Sequence, residues 1–287
     1  MLSYVDRIQL VVPDRDAAVG TWQDLFGAEK TAEDSSGCLG ARRTTVRAGA
    51  TDFEFLEPSG PGPVAEFAAT RGQGLYGVGF STPDLAQMVR HFDSHVVPFV
   101  EEDERVYLLP PATHGMPAVI SQDGSRDRVG IIRHVYEVTN VVDDWQDTAA
   151  HYTRIFGLDP TRYSRIKSHN YGYDGTLTLF NPPDRLDRIE ITQTNAEGAM
   201  ARFYAKHGPS LYMCYIETDD VPALAERLDA HAARYEHSDR SPEVGLFIHP
   251  SALHGMLMGV SRTNFAWVWS GRPELAGEGA QEIHPVD

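Results

Sequence analysis

A chain of 287 residues, 41% hydrophobic and 23% charged, has ordinary globular composition and room for a real core, which excludes a disordered protein. Its formal net charge of −16, with no useful run of Lys or Arg, excludes a nucleic-acid binder, because such a surface repels a phosphate backbone. No apolar stretch approaches the ~20 residues that span a bilayer, and the N-terminus lacks a signal peptide's basic start, so a cytoplasmic protein with no membrane partner is expected.

The first predicted element is an alternating strand over residues 4–13, followed by a helix over 14–26 that stops at Gly27, a good C-cap residue. A strand over 53–58 carries Glu54 and Glu57 among apolar residues. The strand beginning at Gly74 runs into Thr82-Pro83-Asp84, whose side chains suit the cap of a helix over 85–92. The phrase Pro110-Pro111-Ala112-Thr113-His114-Gly115-Met116 precedes a short apolar strand, and 121–130 reads as a polar linker.

The same order then returns. A strand over 132–139 leads to a helix over 143–156 ending at Gly157, and Glu190 sits in a strand over 188–192. The strand beginning at Ser210 reaches Thr218-Asp219-Asp220 and a helix over 221–235, and Pro250-Ser251-Ala252-Leu253-His254-Gly255-Met256 precedes the last apolar strand. Strand, helix and about three strands therefore occur four times, in modules over 4–60, 74–122, 131–197 and 210–262. Two domains are expected, 1–122 and 131–270, with a flexible, Gly- and Glu-rich tail over 273–287. Cys38 and Cys214 fit no disulfide framework and no Cys-based metal motif.

A first strand ending in Val12-Pro13-Asp14, a helix closing on Phe26-Gly27 and a strand reading Phe53-Glu54-Phe55-Leu56-Glu57-Pro58 resemble the modules of the vicinal oxygen chelate superfamily, which includes glyoxalases, bleomycin-resistance proteins and dioxygenases. The run from Phe247 to Met256 is similar to the final hairpin of methylmalonyl-CoA epimerases. The resemblance covers about residues 4–262 and implies an α+β fold, four βαβββ modules paired into two curved mixed-sheet domains. It also implies metal ligands at four strand positions per domain, typically His, Glu or Gln, His and Glu, with open sites for two substrate oxygens. In the N-terminal domain these positions fall on Arg7, Glu54, Gly77 and Val119, which marks that site as degenerate. In the C-terminal domain they fall on His134, Glu190, Met213 and Gly259, of which only His134 and Glu190 are usable ligands. Extradiol dioxygenases share this plan, but their iron needs His, His and Glu at His134, Met213 and Gly259; two of the three are missing, which disfavours that activity.

Strand alternation places His134, Tyr136 and Val138, then Arg188, Glu190 and Thr192, then Met213, Tyr215, Glu217 and Leu257 on one cavity face, with Glu137 turned to the helices. For Arg7 and Glu54 the expectation is a buried ion pair standing where a metal stood. His134 and Glu190 are the candidate catalytic residues, as a divalent-metal pair completed by substrate or as an acid/base pair; the bland alternative is a hydrogen-bonded pair with no chemistry. Tyr136, Arg188, Met213, Tyr215, Leu257 and His249 are the expected substrate contacts, whereas the repeated turns His114-Gly115 and His254-Gly255 are expected to be structural. The expected function is isomerase- or lyase-type proton transfer on a small carbonyl, enol or phenolic compound in the C-terminal cavity. The alternative is a metal-free protein, like those conferring bleomycin resistance, that binds or sequesters a small molecule. Either a monomer or a homodimer satisfies the module pairing.

Overall fold

A computed structural model describes residues 1–195, 197–238 and 241–277. In the first half the elements are β1 (Val5–Val11), α1 (Arg15–Phe26), β2 (Glu29–Ser36), β3 (Ala41–Ala48), β4 (Thr51–Pro58), α2 (Pro63–Arg71), β5 (Gly74–Thr82), α3 (Leu85–Ser94), β6 (Val100–Glu102), β7 (Arg105–Leu108) and β8 (Ala118–Gln122). The second half repeats them as β9 (Ile132–Val141), α4 (Trp145–Phe156), β10 (Ser164–Ser168), β11 (Tyr173–Leu179), β12 (Arg188–Thr194), α5 (Gly198–His207), β13 (Ser210–Thr218), α6 (Val221–Ala230), β14 (Tyr235–His237), β15 (Gly245–Ile248) and β16 (Leu257–Arg262).

Each half closes into one eight-stranded mixed sheet. The strand orders are β2-β3-β4-β1-β5-β8-β7-β6 and β10-β11-β12-β9-β13-β16-β15-β14, so the two sheets are copies of one another. Every sheet contains two modules joined at its centre, where β1 meets β5 and β9 meets β13 in antiparallel register. The four modules read from the repeats, and their pairing into two mixed sheets implied by the resemblance, are the fold observed.

Four helices start on the aspartates that the repeats place there. The carboxylates of Asp14, Asp84, Asp144 and Asp220 each accept a first-turn backbone N–H, and Gly27 and Gly157 close α1 and α4 in the left-handed region. Helix α6 stops at Ala230, five residues short of the expected end. Helices α2 and α5, which join the modules within each half, are absent from the sequence reading; each is ten residues or fewer and buries only one or two side chains fully.

The helix-covered faces of both sheets share one continuous core, running from Ile8, Trp22 and Phe53 in the first half to Ile189, Leu224 and Met258 in the second. Backbone bonds cross between the halves reciprocally: Val5 N–H donates to Asp187 (2.8 Å), and Val135 N–H donates to Thr51 (2.9 Å) at the matching position. The His-Gly turns do the same. His254 bonds Thr21 on α1 across the interface (2.9 Å), and His114 bonds Thr148 on α4 (3.0 Å). Gly115 and Gly255 have positive φ, and a Cβ at either would strike the backbone of the other half. Each concave face keeps a smaller cluster of its own.

The segment after β16 does not leave the molecule. Phe265–Trp269 form a 3₁₀ turn that lays Phe265, Trp267 and Val268 into the concave face of the second sheet, against Tyr136, Leu177 and Leu186. Of the tail expected to be flexible, Pro273–Leu275 form a further turn and Ala276 is buried in the same cluster; residues 278–287 lie outside the described residues. Among the described residues no helix is long and apolar enough to cross a membrane.

Candidate active site in the C-terminal cup

A β-bulge decides which side chains meet in the second cup. On β9, Glu137 pairs with Tyr215 and Val135 with Ile216, so Tyr136 is an extra residue that shifts the alternation by one. Val138 therefore joins the helix-side core, and Glu137 and Thr139 line the cup. This corrects the sequence-based assignment of Val138 to the cavity and Glu137 to the helices. The first half has the same bulge at Asp6, between Val5 and Arg7. Arg7 and Glu137 are thus equivalent, not Arg7 and His134. The signal was present in the sequence: counting back seven residues from the helix caps Asp14 and Asp144 reaches Arg7 and Glu137.

The cluster that results is two carboxyls and a guanidinium. Arg188 lies beside Glu137 and Glu190 beside Thr139 in the parallel pairing of β12 with β9. Arg188 Nε donates to Glu137 at 2.6 Å and its Nη1 donates to Ser270 Oγ at 2.8 Å, while the guanidinium lies 5.0 Å from the Tyr136 ring centroid. Arg188 is fully buried, and its Nη2 meets no acceptor among the described residues. Thr139 Oγ1 donates to Glu190, and Glu137 lies within hydrogen-bonding reach of the same carboxyl. Burial, and then the charge of Glu137, push Glu190 from its ordinary 4.5 up to about 8. One carboxyl of the pair is clamped by a cation; the other keeps a proton at neutral pH.

His134 is not part of this cluster. It lies opposite Glu217, with Nε2 3.9 Å from the carboxylate, whereas Glu190 is level with Thr139 and Met213, four residues away along β13 or about 13 Å. Burial lowers His134 to about 4 and raises Glu217 to about 7, so the imidazole stays neutral. The expected His134–Glu190 pair, as metal ligands or as acid and base, is therefore not assembled.

The remaining expected contacts divide. Tyr136 is buried and its hydroxyl bonds Ser261 at 3.1 Å. Met213 and Leu257 pair side by side at the level of Glu190. The half-buried ring of Tyr215 lies between Tyr136 (6.0 Å between centroids), Phe247 (5.8 Å) and Trp269 (6.5 Å). His249 is spent elsewhere: its Nδ1 accepts from Ser251 N–H at 3.1 Å and caps the turn Pro250–Ala252. Trp269 and Ser270, at the end of the expected domain but not among the expected contacts, enter the site as well.

The donor set does not fit a divalent metal. At the four strand positions stand Glu137 held by Arg188, Glu190 with its proton, Met213, a thioether, and Gly259. The space at Gly259 is taken as well, since a Cβ there would lie 2.1 Å from the Tyr215 ring. The first cup is filled in the same manner. Glu54 accepts from Arg7 (3.2 Å), Arg105 (2.7 Å) and Gln9 (2.8 Å), Arg7 also pairs with Asp6, and a Cβ on Gly79 would fall 1.8 Å from Arg7. Cations stand where a metal would, as the ion pair expected from the sequence.

Residues 6–108 match the family model described as the Glyoxalase/Bleomycin resistance protein/Dioxygenase superfamily. Among solved structures, a variant of 4-hydroxymandelate synthase from Streptomyces coelicolor is similar with TM-score 0.66 at 14% identity, over 91% of this chain and 93% of that one. A fusion protein of a xylose isomerase-like TIM barrel with 4-hydroxyphenylpyruvate dioxygenase gives TM-score 0.60 at 11% identity, over 91% of this chain and 49% of that one. Methylmalonyl-CoA epimerase from Mycobacterium tuberculosis gives 0.39 at 20% identity, over 43% of this chain and 90% of that one. No curated protein matches by sequence. At these identities the likeness is one of fold.

Proposed function

We propose that this chain is a two-domain, four-module vicinal oxygen chelate protein, as its family-model match and its fold support, and that its C-terminal domain, residues 131–270, performs metal-independent, isomerase- or lyase-type proton transfer on a small carbonyl, enol or phenolic compound. Glu190 is the proton-bearing group and Glu137 the neighbouring charge that keeps the proton there. The observation that carries this reading is the pair of buried carboxyls side by side on the cup face, one fixed by Arg188 and the other raised to about 8. A carboxylic acid that stays protonated near neutrality is a general acid for a developing enolate or phenolate oxygen. Thr139 orients the carboxyl, and the rings of Tyr215, Phe247 and Trp269 offer apolar faces to a flat substrate. Residues 1–122 serve as the structural partner, with the ion pairs of the first cup in place of chemistry.

The aromatic lining also supports a second reading, sequestration of a flat small molecule without turnover. A substrate screen on the whole protein separates the two. Under the proposal, Glu190→Gln lowers kcat by about 10²–10⁴ with little change in KM, and wild-type kcat/KM falls above about pH 8 as Glu190 loses its proton. Tight binding with no chemical change, or turnover indifferent to Glu190→Gln, refutes it.

A further inference from the structure

A cavity of about 490 Å³ lies at the edge of the first cup, between α2, the start of β5, the turn before β8 and the start of β13, and shares Tyr76 and Phe67 with that cup's cluster. Its size suits a small organic ligand. The walls are apolar, with Pro110, Pro111, Pro117 and Pro209 among them and Phe67 beside them. Two polar groups stand out. Arg71 is half-buried, and among the described residues its guanidinium makes one hydrogen bond, to the His207 carbonyl at 2.8 Å, besides lying 5.4 Å from the Phe67 ring centroid. Arg7, Arg43 and Arg188 each rest against a carboxylate; Arg71 has no ion pair among the described residues. Tyr76, only 4% exposed, lines the same cavity, and its hydroxyl has no hydrogen-bond partner among the described residues.

The second half supplies an internal comparison. Phe203, His207 and Tyr212 repeat Phe67, Arg71 and Tyr76, with the same edge-on contact between the two rings (5.0 and 5.5 Å). Only the first-half copy replaces the imidazole by a guanidinium. A half-buried cation without an ion pair and an unsatisfied buried hydroxyl are both unfavourable, and a planar anion in the cavity that both line would offset both. An arginine fork with four free N–H donors matches a carboxylate.

We propose that this cavity is a second small-molecule site, which binds an aromatic carboxylate with its carboxyl between Arg71 and Tyr76 and its ring against Phe67 and the prolines. Glu66, exposed at the mouth, opposes the anion and tunes its affinity downward.

Calorimetric titration of the whole protein with 2-naphthoate and with its uncharged isostere 2-naphthamide tests this. Naphthoate is expected to saturate one site and the amide to bind about tenfold more weakly or worse. Arg71→Met brings naphthoate down to the level of the amide, Tyr76→Phe weakens it several-fold, Glu66→Gln tightens it, and Glu190→Gln leaves it unchanged. Circular dichroism melting checks that each variant folds, and Arg71→Gln replaces Arg71→Met if the latter does not. Equal affinity for acid and amide, no saturation at millimolar concentration, or unchanged naphthoate binding in the folded Arg71 variant overturns the proposal. Loss of binding in Glu190→Gln overturns it too, by moving the ligand to the cup.

Discussion

Glu190 holds a proton that an exposed carboxyl would have lost, and folding is therefore linked to pH through it. Its folded value, about 8, lies above its ordinary 4.5, so its contribution is complete below about pH 4.5 and disappears as the pH rises toward 8. Glu217, raised to about 7, acts in the same direction; His134, lowered to about 4, opposes both by losing stability as the pH falls below 6.5. In urea unfolding between pH 5 and 8, wild type is expected to weaken relative to Glu190→Gln by up to about 1.4 kcal/mol per pH unit. Parallel pH profiles for the two proteins would show that Glu190 is ionised in the folded state. Arg188, Glu190, Met213 and Tyr215 were legible as cup residues because β12 and β13 alternate regularly there. Glu137 was not, because one inserted residue on β9 inverts the parity on which the count depends.

At the scale of elements, the strongest sequence signals were those with a local cause. An aspartate before an alternating run marks a helix start whatever the rest of the chain does, and all four such caps form. Helices α2 and α5 had no comparable signal, and no periodicity announces the turn Phe265–Trp269, whose place depends on a concave apolar face built by strands as far back as the one that carries Tyr136. That turn now closes the second cup: Ser270 bonds Arg188, and Glu217 accepts from Asn264 N–H at 2.8 Å. A chain ended after Thr263 is expected to stay folded over its shared core but to melt several degrees lower, since burying each large side chain of the turn contributes about 1.5–3 kcal/mol. It should also bind more of an apolar reporter dye, because the cup surface that Phe265, Trp267 and Val268 cover is exposed, seen as a gain in dye fluorescence over the full chain. An unchanged melting temperature and no gain in dye signal would mean that the turn is not held in the cup.

The whole molecule is two copies of one sheet locked back to back, and the lock is reciprocal at every point described: Val5 with Asp187 and Val135 with Thr51, His254 with α1 and His114 with α4. The repeated phrases revealed the copies but not the lock, because a contact between repeats leaves no periodicity in either. With one core beneath both sheets, thermal unfolding is expected as a single transition whose calorimetric and van't Hoff enthalpies agree, and Thr21→Val should shift that transition without splitting it. Two resolved transitions would show that the halves are stable separately.

Reciprocity has a topological cost. Each half presents to its sister a surface that any other copy of that sister would fit equally well, and the covalent tie between them is the short stretch from Asp123 to Ile131. Trading second halves between two chains would keep the bonds between the halves but re-route the connector, whose Arg126 and Val129 bond the first half and whose Arg128 bonds the second, so the connector, and not the interface, selects between a self-contained molecule and an exchanged pair.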